Sequence, residues 1–99
     1  MGEIFVGQDA LRFQANVGVD ITGALTLEIR YRKPDDSTDA FTATVLDAEA
    51  GTMTYDLTSS STLDQAGTWI MWGYVEFSDG REAYGIPIKV EVYTVGEII

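Results

Sequence analysis

The stretch "ALTLEIRYRK", residues 24–33, alternates apolar and polar side chains one for one, and this period of two most narrows the folds open to the chain. Successive side chains of an extended strand point to opposite sides. Leu25, Leu27, Ile29 and Tyr31 are therefore expected on a dry face, and Thr26, Glu28, Arg30 and Arg32 on a wet one. The same period recurs in "AFTATVL" with Phe41, Ala43 and Val45, in "TMTYDLT" with Met53, Tyr55 and Leu57, and in "IPIKVEVY" with Ile86, Ile88, Val90 and Val92. No comparable window keeps apolar positions at helical spacing.

Turn chemistry punctuates these runs. "KPDDSTD" combines a proline, which has no amide to donate, with side chains that bond their own backbone. In "DAEAG", Gly51 can take a positive φ. Asp79-Gly80 in "SDGRE" is a hairpin signal, and Pro87 marks a strand edge or a bulge. "EIFV" and "LRFQANV" add one or two short strands. The pattern predicts an all-β fold, an immunoglobulin-like two-sheet β-sandwich of about seven strands, with residues 1–99 as a single domain. A small closed barrel is the alternative.

"LDQAGTWIMWGYVEF", residues 63–77, departs from simple alternation because both of its faces are apolar. "LDQAGTW" reads as the corner that leads into the sixth strand of an immunoglobulin-like sandwich, with Trp69 as a core residue. Met71, Val75 and Phe77 share its face. Ile70, Trp72 and Tyr74 lie opposite, and if exposed they form an apolar patch of the kind that marks an interface, with Arg30 and Arg32 on a neighbouring strand as rim residues. The competing reading has those two arginines covering the patch through their aliphatic stems and cation–π contacts.

Composition removes most chemistry. The chain has neither Cys nor His, which excludes disulfides, thiolate and imidazole metal sites and every nucleophile system built on them. Sixteen acidic residues against six basic ones, a net charge of −10, oppose contact with a phosphate backbone, so no nucleic-acid partner is expected. "MGEIFVGQD" has no basic segment ahead of an apolar one, and no apolar run approaches the ~20 residues that span a bilayer. The reading is of a protein made in a cytoplasm, with no signal peptide and no membrane partner. Carboxylates are what remains. Asp35, Asp36 and Asp39 in one loop and Asp47 with Glu49 in another could be read as calcium ligands, but solvated turn chemistry accounts for them. "SSST" has no imidazole to activate a hydroxyl, and Thr62 or Ser61 is expected to cap the "TLDQAG" corner. No catalytic, metal or cofactor residue is expected, and the chain is read as non-enzymatic.

Three segments, "DITGALTLEIRYRKPD", "VLDAEAGTMTYDL" and "LDQAGTWIMWGYVEFSDGREAYGIPIKVEV", resemble small immunoglobulin-like structural proteins of phages and prophages, such as the amino-terminal domain of phage baseplate upper proteins. The shared features are the "TGA" entry to a strand ending in "RKPD", the "DAxxGxMxY" hairpin and the "LxxAGxW" corner. This resemblance implies a virion structural or accessory protein of the tail or baseplate, assembled in the bacterial host cytoplasm. It would dock through protein–protein contacts onto other virion proteins or further copies of itself, so a homo-oligomer is among the expectations. The rival is an immunoglobulin-like binding module for a host surface carbohydrate or protein, in which Trp72 beside Asp79 would meet a sugar.

Overall fold

The computed structural model describes residues 4–96, and every regular element among them is a strand. The alternating run that opened the sequence becomes β3, Thr26–Arg32, here numbered in chain order after β1, Ile4–Phe5, and β2, Arg12–Asn16. Its inward side chains Ile29 and Tyr31 are buried, and Leu27 packs against them. Then follow β4, Thr38–Thr42; β5, Thr44–Asp47; β6, Thr52–Asp56; β7, Gly67–Glu76; β8, Glu82–Tyr84; and β9, Ile88–Tyr93.

Two sheets form. The larger runs β1-β9-β7-β3-β4 with β8 also on β7, and the smaller runs β2-β6-β5. This is an immunoglobulin-like β-sandwich with nine strands among the described residues. It is not a closed barrel: among the described residues no strand of one sheet pairs with a strand of the other. A ladder of rings ties the layers together: Phe13 stacks on Phe41 at 5.7 Å, Phe41 on Tyr55 at 4.4 Å, and Tyr31 bridges Phe41 at 4.6 Å to Trp69 at 5.4 Å. Such pairs each add about 0.5–1.5 kcal/mol beyond the area they bury.

Several expectations are corrected by long-range pairing. "AFTATVL" is two strands, because the chain changes sheet at Ala43, whose amide donates to the Leu27 carbonyl before β5 joins β6. Val45 then lies at a bulge on an outer strand and is 47% exposed. Leu25 precedes β3 and is also exposed, as is Ile86. Ile86 falls in a bulge: four residues of β7, from Tyr74 back to Met71, are matched by five from Tyr84 to Ile88. The slip turns Ile86 out of the alternation, and Pro87 sits where the ladder is broken.

The turns follow their chemistry. Asp36 takes a φ of 70° in the β3–β4 hairpin, and Gly80 a φ of 88° in "SDGRE", where Phe77 N–H donates to the Arg81 carbonyl. The hydroxyl that accepts near the "TLDQAG" corner belongs to Ser59, which takes the Ser61 amide; neither Ser61 nor Thr62 caps it. The corner is held instead by the indole N–H of Trp69, donating to the Gln65 carbonyl at 3.0 Å.

Candidate functional site

β7 lies between β3 and β9, so its outward side chains form rows with theirs. Arg32, Ile70 and Lys89 make one row, and Arg30 and Trp72 begin the next. Glu28, Tyr74 and Tyr84 make a third. Ile70 and Trp72 are half-buried on this face, and with Arg32, Tyr84, Gly85 and Pro87 they line a groove of about 390 Å³. The groove exists because the bulge at residues 85–87 interrupts the strand beside Trp72.

Tyr74 is different. It is only 6% exposed, because the Arg30 guanidinium lies 3.6 Å above its ring and Tyr84 packs beside it at 5.2 Å. Arg30 is itself paired with Glu28 at 3.0 Å. The covering role expected of the arginines therefore falls to Arg30, over Tyr74, while Arg32 stays exposed at the edge of the Trp72 groove. The sequence pattern could not separate these cases, because Arg30 and Arg32 occupy equivalent positions in the alternation.

The Tyr74 hydroxyl donates to Glu82 at 2.6 Å. That bond, with burial and the charges of Glu82 and Glu76, pushes its pKa up to about 12 against the opposing pull of Arg30. The folded state thus favours the neutral phenol. Its contribution to stability is complete below the unfolded value of about 10 and is lost as pH rises through about 12. Denaturant midpoints measured across that window should fall more steeply in the wild-type chain than in Tyr74→Phe. The comparison is needed because burial also raises Tyr31. Parallel curves would rule out the Tyr74–Glu82 bond as the cause.

The acidic loops are occupied with their own backbone. Asp35 accepts from Ser37 and Gln65, which holds its carboxyl below the usual range, and Asp47 accepts from the Ala50 amide. Among the described residues no three acidic side chains come together to hold a metal ion. Asp79 bonds Arg81 within its own hairpin, so it does not join Trp72 in the groove.

Sequence reasoning missed Lys89. Its signal was present in the alternation of "IPIKVEVY", but its place beside Ile70 depends on the bulge that resets the register.

Fold and site together define an immunoglobulin-like sandwich with an aromatic groove on its larger sheet. No family model matches the chain, and no curated protein matches it. Among solved structures, the crystal structure of CopC from Methylosinus trichosporium OB3b resembles it with a TM-score of 0.59 and 13% identity, covering 100% of this chain and 91% of that one. At that identity the likeness shows the fold alone.

It also corrects the expected phage relationship, since the matching chain is CopC and not a phage structural protein. The tail or baseplate role and the virion placement, with assembly in a host cytoplasm, rested on that resemblance and fall with it. The host-surface alternative gains no support either. The physical reason lies in the shared motifs. Gly23, Gly51 and Gly67 all adopt positive φ at turns, and Tyr55 and Trp69 fill the core, so these positions report an immunoglobulin-like sandwich whatever its ancestry.

Proposed function

We propose that the chain acts without catalysis, as a protein-docking module whose contact surface is the outward face around Ile70 and Trp72. Its partner presents carboxylates beside an apolar side chain. One observation carries this reading. Of the six basic residues, Arg12, Arg30, Lys33 and Arg81 are each paired with a carboxylate. Arg32 and Lys89 have no ion pair among the described residues, and both flank Ile70 in the same cross-strand row. Strands lie about 4.8 Å apart, so the two side chains rise about 10 Å from one another across the floor beside Trp72.

In a chain of net charge −10 this is a local reversal of sign. A half-buried Trp with exposed Tyr and Arg around an apolar centre is the composition of interface hot spots. Two copies, each strongly acidic, repel at long range, which favours a different protein as the partner. Tyr74, whose pKa is pushed up to about 12, is tied to Glu82 and covered by Arg30, and supports structure better than proton transfer.

A photo-crosslinking residue at position 70, placed in the producing cells, should capture a partner whose affinity can then be measured with purified proteins. Trp72→Ala should weaken binding by about thirtyfold or more, and a combined Arg32→Glu and Lys89→Glu variant should bind only a partner whose matching acids are changed to lysine. Undiminished binding by the charge-reversed variant would sink the proposal, as would a free protein with twice the chain mass, which would assign the face to a second copy.

A further inference from the structure

Tyr84, Trp72 and Arg32 lie on one diagonal of the larger sheet. Tyr84 is opposite Tyr74 and Arg32 opposite Ile70, the two residues that flank Trp72 on its own face of β7. Diagonal neighbours on a ladder stand about 7–8 Å apart, so the three side chains mark out a line about 15 Å long. The groove beside Trp72 runs along it. Both ends of the described chain lie elsewhere. Ile4 is opposite Val92, and Gly96 follows Val92, whose partner on β7 is Gly67. Gly67 is five residues, about 17 Å, along β7 from Trp72. That is farther than the about 11 Å spanned by three extended residues.

The side chains of this groove offer donors and no acceptor. The Trp72 indole N–H has no hydrogen bond among the described residues, in contrast to Trp69, whose N–H is held by Gln65. The Arg32 guanidinium has neither hydrogen bond nor ion pair there. The Tyr84 hydroxyl is turned to Glu82 at 3.4 Å, and no carboxylate or amide side chain lines the groove. Its wall cannot add a strand either, since Gly85 N–H already donates to the Gly73 carbonyl and Pro87 has no N–H. A ligand N–H brought here would lose its water and find no side-chain acceptor. Proline carries no N–H, and a polyproline II segment presents its carbonyls outward without needing a ladder.

We propose that the docking partner enters this groove with a proline-rich segment in the polyproline II conformation, followed by an acidic residue. One proline ring fits between Tyr84 and Trp72, because contacts of about 3.5–4.0 Å on each of its faces fill a gap of about 7–8 Å. Tyr84 is braced for this by Tyr74 at 5.2 Å, while Trp72 has no ring contact among the described residues. The Trp72 indole N–H donates to a carbonyl of the segment. One turn rises about 9 Å, which carries the residue three positions on to Arg32, where its carboxylate is bound. This rests on the docking reading and names the segment that docks.

The probe is a designed peptide of six prolines followed by two glutamates, added to the full chain, with both indole N–H resonances followed by NMR. Binding should move the Trp72 resonance and slow its exchange with water about fivefold or more, as expected of one new hydrogen bond. The Trp69 resonance, already bonded, should stay in place. Alanine in place of the prolines should weaken binding about tenfold or more, because each residue regains an N–H and the conformation is no longer preformed. Trp72→Phe keeps a ring and loses the donor, and should weaken binding about fivefold. Arg32→Gln should weaken it about threefold for this peptide and leave a peptide ending in glutamine unaffected.

An unmoved Trp72 resonance under a large excess of peptide would overturn the proposal. So would equal binding of the alanine peptide, or undiminished binding by Trp72→Phe. The partner captured at position 70 separates the two readings. Release by Trp72→Ala but not by excess proline peptide keeps the docking face and removes the proline segment. A partner indifferent to Trp72→Ala and to charge reversal, with the peptide effects intact, removes the docking face and keeps the groove as a proline site.

Discussion

Trp69→Ala is expected to cost about 3–5 kcal/mol of folding stability, the range for deleting a large aromatic from a packed core. Trp69 has no exposed surface, and its ring meets Tyr31 at 5.4 Å on one side and the Lys33 ammonium at 5.6 Å on another. Its indole N–H also satisfies the Gln65 carbonyl, which closes the corner before β7. Alanine therefore leaves a cavity and an unmatched carbonyl together. A domain of this size holds roughly 5–15 kcal/mol in all, so the variant sits close to unfolding at ambient temperature. Urea denaturation followed by far-ultraviolet circular dichroism measures the loss, with Trp72→Ala as its contrast. Trp72 is half-buried on the outward face and should cost less than about 2 kcal/mol. Similar losses for the two tryptophans would show that the two faces of β7 are not packed as described.

Gly51→Ala is expected to cost about 3 kcal/mol or more, against about 1 kcal/mol for Gly80→Ala. Both residues adopt positive φ, 75° at Gly51 and 88° at Gly80, so each substitution carries the left-handed penalty. The difference is the surroundings. Around Gly80 an added Cβ meets nothing within 4 Å, whereas at Gly51 it collides with the Val19 carbonyl oxygen and lies 3.0 Å from the Val19 nitrogen. Those contacts are backbone, and the Gly51 carbonyl also accepts from the Val17 amide, so the β2–β3 connection must move with them. Thermal unfolding of the two variants side by side tests this. Equal shifts in midpoint would mean that the loop at Val19 yields freely and that only the backbone conformation matters.

Much of the fold was legible because its determinants are local. The alternation that placed Ile29, Tyr31, Met53 and Trp69 inward needs only the period of a strand, and all four are buried. The hairpin at Asp79-Gly80 and the break at Pro87 follow from the backbone limits of those residues. Leu25, Val45 and Ile86 obeyed the same alternation and are exposed, since a start, a bulge on an outer strand and a register slip each override it. The candidate site was legible only in part. Ile70 and Trp72 could be named from the second apolar face of β7, but Tyr74 could not be separated from them, and Lys89 could not be added to them.

The resemblance to phage proteins misled because it was carried by turns and core positions. Gly51 and Trp69 are demanded by any chain that makes this hairpin and this corner, so they speak for architecture and are silent on partners.

Residue order alone determined the all-β class, the inward residues of the regular strands, the turn positions and the exclusion of imidazole and thiolate chemistry. Each depends on side-chain identity or on neighbours within a few positions. Tertiary structure decided that Arg30 covers Tyr74, that Arg32 and Lys89 flank Ile70 from opposite sides, and that Ile88, opposite Met71, is left exposed. These are properties of strand order and register, in which residues distant in the chain become neighbours at about 4.8 Å. A local pattern of apolar and polar residues carries no record of which strand will lie alongside.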